Sequence, residues 1–156
     1  MRVSAIMTRD LILVSPDDSV EIAVDLLRRR GVRHLLVAKK NRLVGIVSDR
    51  DIKRALDPRK TRKKLLGIGG LYFLLEPILV REIMTHDPVT IGPGMSAQDA
   101  ALIMVAERFG ALPVVQKGET VGIVTETDLL RYFAKSANAQ ATKNAHARKS
   151  KSASPA

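Results

Sequence analysis

Hydrophobic positions follow two spacings in turn along the N-terminal half of this chain. A short apolar segment at residues 12–14 leads into a stretch with helical spacing, and two apolar runs at residues 35–38 and 43–47 come next. The apolar residues of the helical stretch are Val20, Ala23, Val24 and Leu27. Because a polar turn at Lys40 separates the two later runs, they predict a β-hairpin, and a closing helix is predicted near residues 50–56.

The same pattern returns 77 residues later without insertion or deletion. Residues 3–54 align with residues 80–131, and 17 of these 52 positions are identical. A fixed period of this kind indicates one structural unit used twice. Each unit has the order strand, helix, strand, strand, helix, so its sheet has an apolar face that the other copy must cover. Leu36 aligns with Pro113, which we expect to change only the stiffness of that strand.

Helix starts are predicted in both copies by capping side chains. Asp18 and Glu21 have the spacing of a capping box in the first copy, and Ser96 caps the helix in the second. The predicted domains are residues 3–56 and 80–135.

The segments outside the repeat have different compositions. The linker, residues 57–79, contains an apolar aromatic stretch at 71–75, interpreted either as a helix packed on its own core or as a self-association surface. The tail, residues 136–156, is basic and lacks hydrophobic periodicity, which predicts disorder.

Composition restricts the class of protein. The 156 residues are 46% hydrophobic, include no cysteine and carry a formal net charge of +10. No apolar run approaches the ~20 residues of a membrane span, so a cytoplasmic protein without membrane contact is expected. Thiolate metal sites and disulfides are excluded. The sequence contains none of the common nucleophile or P-loop motifs and its three histidines lack metal-ligand spacing, so we predict neither an enzyme nor a metal site.

Short strings in both halves carry a resemblance to a known family. IMT occurs at residues 6–8 and 83–85, and GIVSDRD at 45–51 matches GIVTETD at 122–128. With RHLLV at 33–37, these strings resemble the signature of the cystathionine-β-synthase (CBS) domain, and two in tandem resemble a Bateman module. Within the family, the chain is most similar to short acetoin-utilisation accessory proteins. The implied fold class is α/β, with two pseudo-symmetric β-α-β-β-α CBS repeats packed through their sheets and followed by a disordered tail.

The resemblance implies that an adenine nucleotide, AMP, ADP or ATP, binds between the two copies. In each copy a hydroxyl residue and an aspartate straddle a strand-to-helix junction, Ser48 with Asp51 and Thr125 with Asp128. An ionised carboxylate can accept hydrogen bonds from both ribose hydroxyls. The same spacing is that of a helix capping box. The two roles are compatible, and the repetition favours a ribose site.

The resemblance also implies where adenine and phosphate bind. An apolar adenine slot is expected at the first strand of each copy, at Ile12, Val14, Val89 and Ile91. Arg33 and His34 lie at a position near the phosphates, and Arg50 adds a second positive charge. The second copy has Gly110, Ala111 and Thr127 at the aligned positions, none of them charged. Thr127 is its candidate phosphate residue, so we expect unequal phosphate sites.

The function that follows is a regulatory nucleotide sensor without a required cofactor. The resemblance implies a homodimer, and since the chain carries no effector domain, an unknown effector protein would receive the signal. Two alternatives remain open. One is a nucleic-acid-associated protein that uses its basic tail, which we favour less because no aromatic residues interleave with the basic clusters. The other is a ligand-free dimerisation scaffold.

Overall fold

The computed structural model describes residues 1–57, 59, 65–69, 71–74 and 76–138. The first half contains β1 (Leu13–Val14), α1 (Val20–Arg30), β2 (His34–Lys39), β3 (Arg42–Ser48) and α2 (Asp49–Ala55). A linker hairpin of β4 (Leu65–Ile68) and β5 (Leu71–Leu74) follows. The second half contains α3 (Val80–Ile83), β6 (Thr85–His86), α4 (Ala97–Glu107), β7 (Ala111–Gln116), β8 (Glu119–Thr125) and α5 (residues 126–138). The predicted α/β repeats are confirmed.

Each repeat is built around an antiparallel hairpin, and the two hairpins have the same register. In β2 and β3, His34 pairs with Ser48, and in β7 and β8, Ala111 pairs with Thr125. The turn residues Lys40 and Asn41 have φ of 49° and 60°, and their counterparts in the second hairpin are also left-handed. Two consecutive residues with positive φ match the right-handed twist of the flanking strands, which is why the predicted turn closes tightly.

The two repeats exchange their leading segments. Val3 and Met7 are buried in the core of the second repeat, whereas Val80 and Met84 are buried in the core of the first. Hydrogen bonds fix this exchange, because the Val3 amide donates to the Met95 carbonyl at 2.8 Å and the Val80 amide donates to the Asp18 carbonyl at 2.9 Å. Each hydrophobic core is therefore completed by residues from the other repeat, so the unit of sequence repetition is not the unit of packing.

The exchanged segments also extend the sheets. β6 pairs with β3 and gives a four-stranded sheet in the order β1-β2-β3-β6. In the second repeat the equivalent contacts are the bridges of Thr8 with Ile123 and of Ile91 with Val114. β3 and β8 contact each other, so the two sheets meet along these two strands. The three-stranded sheet expected from the repeat order gains a strand from its neighbour.

Two local predictions about helix starts have different outcomes. Ser96 caps α4 as predicted, with its side chain accepting from the Asp99 amide at 3.0 Å. The capping box predicted for α1 at Asp18 and Glu21 is wrong. The N-cap of α1 is Ser19 without a side-chain bond, and Asp18 accepts from the Ser15 amide at 2.8 Å instead.

The predictions for the linker and tail need correction. The helix proposed across residues 71–75 is wrong for 71–74, which form β5 paired with β4. Aromatic and branched side chains favour strands, and Gly69 at φ 57° permits the tight connection between them. α5 continues to residue 138, three residues into the predicted tail. Residues 139–156 and most of 58–64 lie outside the described residues.

Among the helices that the structure describes, none is long and apolar enough to cross a membrane.

Candidate functional site

Two clefts of similar size lie between the repeats. The Asp51 cleft has a volume of about 480 Å³, and the Asp128 cleft has a volume of about 470 Å³. The first contains the predicted ribose residues Ser48 and Asp51, and the second contains Thr125 and Asp128. The structure thus brings each predicted hydroxyl–aspartate pair to the wall of a separate cleft.

The hydroxyl–aspartate pair of the first repeat forms a capping box at the start of α2. The Ser48 amide and hydroxyl donate to the same oxygen of Asp51, Oδ2, at 2.8 and 2.7 Å, and the Asp51 amide returns a bond to Ser48 Oγ at 3.2 Å. Asp51 Oδ1 has no recorded partner among the described residues. Capping therefore uses one carboxylate oxygen and leaves the other at the cleft.

The second repeat copies this geometry with one difference. The Thr125 amide and hydroxyl donate to Asp128 Oδ2 at 2.9 and 2.7 Å. The other oxygen, Oδ1, lies 3.4 Å from the Arg131 guanidinium. Asp128 is thus partly neutralised by a neighbouring cation, whereas Asp51 keeps one oxygen without such a partner among the described side chains.

Each cleft combines the aspartate of one repeat with a residue from the segment that precedes the long helix of the other. Val89 lines the Asp51 cleft, and Ile12 lines the Asp128 cleft. Val14 and Ile91, which we also predicted for the adenine slot, are 3% and 4% exposed, belong to the two cores and do not line either cleft. The difference follows from pairing, because Val14 pairs with Val37 and Ile91 bridges to Val114, and both partners are buried in the same cores.

Leu36 and Pro113 make the two slots unequal. The Leu36 amide donates to the Ile12 carbonyl at 3.2 Å in the first repeat. Pro113, at the aligned position, has no N–H to donate to Val89. The Val89 carbonyl has no recorded donor among the described residues. The substitution therefore changes hydrogen bonding as well as the strand stiffness that we expected, and it leaves an acceptor at the Asp51 cleft.

Arg33 and His34 line both clefts, and among the described lining residues they are alone in doing so. Gly110 permits this arrangement, because a Cβ atom on it would lie 2.8 Å from His34 Nε2. The glycine that replaces arginine in the second repeat is thus a packing partner of the first repeat's histidine. Sequence alignment shows the difference between the copies but not this contact.

The environment of His34 favours the neutral ring. Burial lowers the pKa of His34 below its ordinary value of 6.5, and the nearby Arg33 guanidinium lowers it further. The carboxylates of Asp49, Glu126 and Asp51 oppose this shift in part. Since the folded-state pKa lies below the unfolded one, the contribution of His34 to stability is complete above about pH 6.5 and decreases as the pH falls toward the folded value.

The two clefts differ in charge. The cationic side chains around the Asp51 cleft are Arg33, Arg50, Lys53, Arg54 and Arg108, and its carboxylates are Asp49, Asp51 and Glu126. The Asp128 cleft has Arg33 and Arg131 against Asp10 and Asp128. The predicted phosphate residue Arg50 lies in the first cleft and Thr127 in the second. The excess of cations is confined to the Asp51 cleft.

Sequence reasoning missed several lining residues. Arg54 and Arg108 line the Asp51 cleft, and Arg131 lines the Asp128 cleft. Thr85 and Thr8, the last residues of the two IMT strings, line the Asp51 and Asp128 clefts respectively. The repetition of IMT was a usable signal for these threonines, but only the exchange of leading segments shows which cleft each one enters. Within the described part of the chain, no cluster of His, Asp or Glu could hold a metal ion.

Solved structures resemble this fold closely. CBSX2 in complex with AMP is 33% identical with a TM-score of 0.68, covering 86% of this chain and 96% of that one. The CBS domain pair of protein MJ0100 in complex with 5′-methylthioadenosine and S-adenosyl-L-methionine is 25% identical with a TM-score of 0.72, covering 87% and 98%. A putative acetoin utilization protein (AcuB) from Vibrio cholerae is 25% identical with a TM-score of 0.73, covering 90% and 96%.

Sequence comparison gives the same assignment. Inosine-5′-monophosphate dehydrogenase from Korarchaeum cryptofilum is 40% identical over 129 residues, which are 82% of this chain but only 23% of that enzyme. The chain therefore spans about a quarter of that relative's length. The CBS domain model matches residues 3–58 and again residues 80–135. With both matches in tandem and the paired fold in place, this chain belongs to the CBS domain family.

Proposed function

We propose that this chain is a regulatory sensor that binds an adenosine nucleotide, AMP, ADP or ATP, in its Asp51 cleft. The observation that carries the proposal is that the two oxygens of the Asp51 carboxylate have different roles. The Ser48 amide and hydroxyl hold Oδ2 at 2.8 and 2.7 Å, which orients the side chain, and Oδ1 remains to accept from ribose hydroxyls. A carboxylate fixed in this way loses little rotamer freedom when the ligand binds.

The cations of the Asp51 cleft support a phosphate-bearing ligand. Arg33, Arg50 and Arg54 line the cleft that holds Asp51, and Arg108 joins them from the second repeat. Arginine binds phosphate through two parallel hydrogen bonds, so several guanidinium groups suit a nucleotide with one or more phosphates. The Asp128 cleft has fewer cations, and we infer that it is the weaker phosphate site.

The Val89 carbonyl is the group that we expect to contact the adenine end of the ligand. It lacks a recorded donor among the described residues because Pro113 has no N–H. An amino group such as that of adenine could donate to it, and the apolar Val89 side chain, 46% exposed, could cover one face of the ring. Ligands with an adenosyl group in the similar structures, AMP in CBSX2 and 5′-methylthioadenosine and S-adenosyl-L-methionine in MJ0100, support the same ligand class.

Calorimetric titration of the full chain tests this proposal. AMP, ADP, ATP and S-adenosyl-L-methionine are titrated separately, with GMP as a matched control that lacks the adenine amino group. We expect binding by at least one adenine nucleotide and weaker binding by GMP. If none of the adenosyl compounds binds, the proposed sensor function is wrong.

We also propose that the chain forms a homodimer through the helices of its second repeat. On α4 and α5, Leu102, Val105 and Leu130 are 66%, 78% and 69% exposed. The first repeat has Asp25, Arg28 and Lys53 at the aligned positions. Since the fold is the same in both repeats, the apolar residues are not needed to build it. Exposed apolar patches on monomers typically indicate a contact surface.

A second copy of the chain is the occupant we infer for this surface. A two-fold contact pairs the same patch on both subunits, and an apolar patch is complementary to itself without charge matching. The centres of homodimer interfaces are apolar, which agrees with the exposed aliphatic residues on these two helices. Such a dimer would offer an unknown effector protein a surface whose shape depends on nucleotide occupancy.

Val105→Glu is expected to weaken dimer formation at least about tenfold, because two-fold symmetry brings two new carboxylates into one apolar contact. The matched control is Arg28→Glu, which places the same side chain on the aligned face of the first repeat. Sedimentation velocity over a range of protein concentrations measures both. A monomeric wild type, or equal weakening by Arg28→Glu, would contradict this interface.

A further inference from the structure

Arg33 contributes its guanidinium to the lining of both clefts. The Asp51 cleft and the Asp128 cleft have only Arg33 and His34 in common among their described lining residues. The aligned pair of the second repeat does not repeat this arrangement, since Gly110 and Ala111 line the Asp51 cleft alone. The clefts are therefore joined at one point by residues of the first repeat.

The Asp128 cleft depends on this shared arginine for its positive charge. Its other cation, Arg131, lies 3.4 Å from Asp128 Oδ1 and is partly neutralised there. Among the described residues its remaining charged lining residue is Asp10, whose carboxylate is itself paired with Arg30 at 2.5 Å. Without Arg33, a phosphate in this cleft would therefore meet no unpaired guanidinium among the described lining residues. The Asp51 cleft would keep Arg50, Arg54 and Arg108.

One guanidinium cannot serve both clefts equally. Its strongest arrangement with a phosphate uses two parallel N–H donors, which sets the plane of the group toward one ligand. Once it is paired in this way, its charge is neutralised for the second cleft. Two phosphates on either side of it also repel each other.

The geometry points to Arg33 as a shared phosphate ligand through which the two clefts oppose each other's occupancy. A nucleotide phosphate in the Asp51 cleft weakens the binding of a second phosphate-bearing ligand in the Asp128 cleft, and the reverse holds by linkage. This inference rests on the proposed nucleotide binding. It adds that the sensor responds to phosphate-bearing ligands in two steps, with the Asp51 cleft filled first.

His34 contributes to the same junction by fixing its position. The ring packs against Gly110, where even a Cβ would come within 2.8 Å of Nε2. The Arg33 carbonyl accepts from the Asp49 amide at 3.0 Å, which ties the junction to the start of α2. The backbone that carries Arg33 is thus held between both repeats. The guanidinium can therefore reach only the positions that its own side chain allows, at the junction of the two clefts.

Titrations of single-cleft variants test the coupling. With Asp51→Asn, the Asp128 cleft is the one that keeps its ribose-binding aspartate. With Asp128→Asn, the Asp51 cleft is the one that keeps it. AMP is the phosphate-bearing probe and adenosine is the probe without phosphate. For AMP, we expect the second dissociation constant of the wild type to be at least about fivefold weaker than that of the isolated Asp128 cleft. For adenosine, we expect no such difference.

Arg33→Gln is expected to remove the coupling between the clefts. It should also weaken AMP binding in the Asp128 cleft more than AMP binding in the Asp51 cleft. Arg54→Gln is the matched control, since it removes the same charge from a residue that lines the Asp51 cleft alone. Arg54→Gln should weaken AMP binding in the Asp51 cleft and leave unchanged the factor by which occupancy of one cleft lowers the affinity of the other. Independent binding of two AMP molecules, positive coupling, or coupling that persists in Arg33→Gln would overturn this inference. If AMP does not bind but ADP or ATP does, that nucleotide replaces AMP as the probe. Absence of binding by all of the adenosyl compounds would instead refute the proposed function.

Discussion

Asp51→Asn is expected to weaken AMP binding in the Asp51 cleft by about 10- to 100-fold while the protein remains folded. A hydrogen bond to a charged group contributes about 1.5–3 kcal/mol, which corresponds to a change of that size in affinity. The asparagine carbonyl can still accept from the Ser48 amide and hydroxyl, which now donate to Oδ2 at 2.8 and 2.7 Å. Its amide group replaces Oδ1 with a donor, so the ribose hydroxyls lose their acceptor.

Asp49→Asn provides the control for charge. Asp49 lines the same cleft and lies 3.5 Å from Lys53, in an exposed ion pair. Its substitution changes the net charge of the cleft equally but removes no ribose acceptor. Calorimetric titration with AMP measures affinity, and urea unfolding of the unliganded variants measures stability. Equal affinities of the two variants for AMP would show that Asp51 acts only as a helix cap.

The second large effect is expected on stability, from Gly45→Ala and Gly122→Ala. A Cβ at residue 45 would lie 2.5 Å from Met84 Sδ, and one at residue 122 would lie 2.6 Å from Met7 Sδ. Both methionines belong to the exchanged leading segments, which complete the core of the other repeat. Overpacking of a filled core typically costs about 1–3 kcal/mol, so we expect each substitution to lower the free energy of unfolding by about that amount.

Urea denaturation of the full chain measures this effect against Gly94→Ala. No atom lies within 4 Å of a Cβ built at residue 94, and its φ is not positive, so this substitution should cost little. Met84→Ala combined with Gly45→Ala removes the clashing sulfur. The double variant should therefore lose less stability than the sum of the losses of the two single variants. A cost no greater than that of Gly94→Ala would contradict the tight packing of Met84 and Met7 against these two glycines.

Several elements follow from sequence because they depend on neighbours along the chain. The hairpin of β2 and β3 closes at the two-residue turn of Lys40 and Asn41, and the capping geometry of Ser48 with Asp51 spans three positions. Local spacing and turn chemistry are sufficient to predict such features. The helix predicted at residues 71–75 was wrong for 71–74, although the partner strand β4 is also close in sequence, because a short apolar run does not by itself distinguish a helix from a strand.

The candidate site was predicted residue by residue but not as an assembly. Asp51 and Val89 were expected in different repeats, and the structure places them in one cleft, because β6 crosses to pair with β3. Val14 and Ile91 were grouped with the cleft residues, although both are buried in the cores. The direction of a side chain from a two-residue strand depends on the sheet around it, and a linear pattern does not contain that information.

The 77-residue period by itself determined that one α/β unit is used twice and that aspartates 51 and 128 hold equivalent places. Only the tertiary structure decided that the leading segments exchange, that Gly110 makes room for His34, and that Arg33 reaches both clefts. The physical reason is that repetition constrains each copy's backbone separately. Where the two copies touch, side chains from distant positions in the sequence share one volume and one local charge balance. Only their placement in space determines which copy supplies the residue at each point of contact.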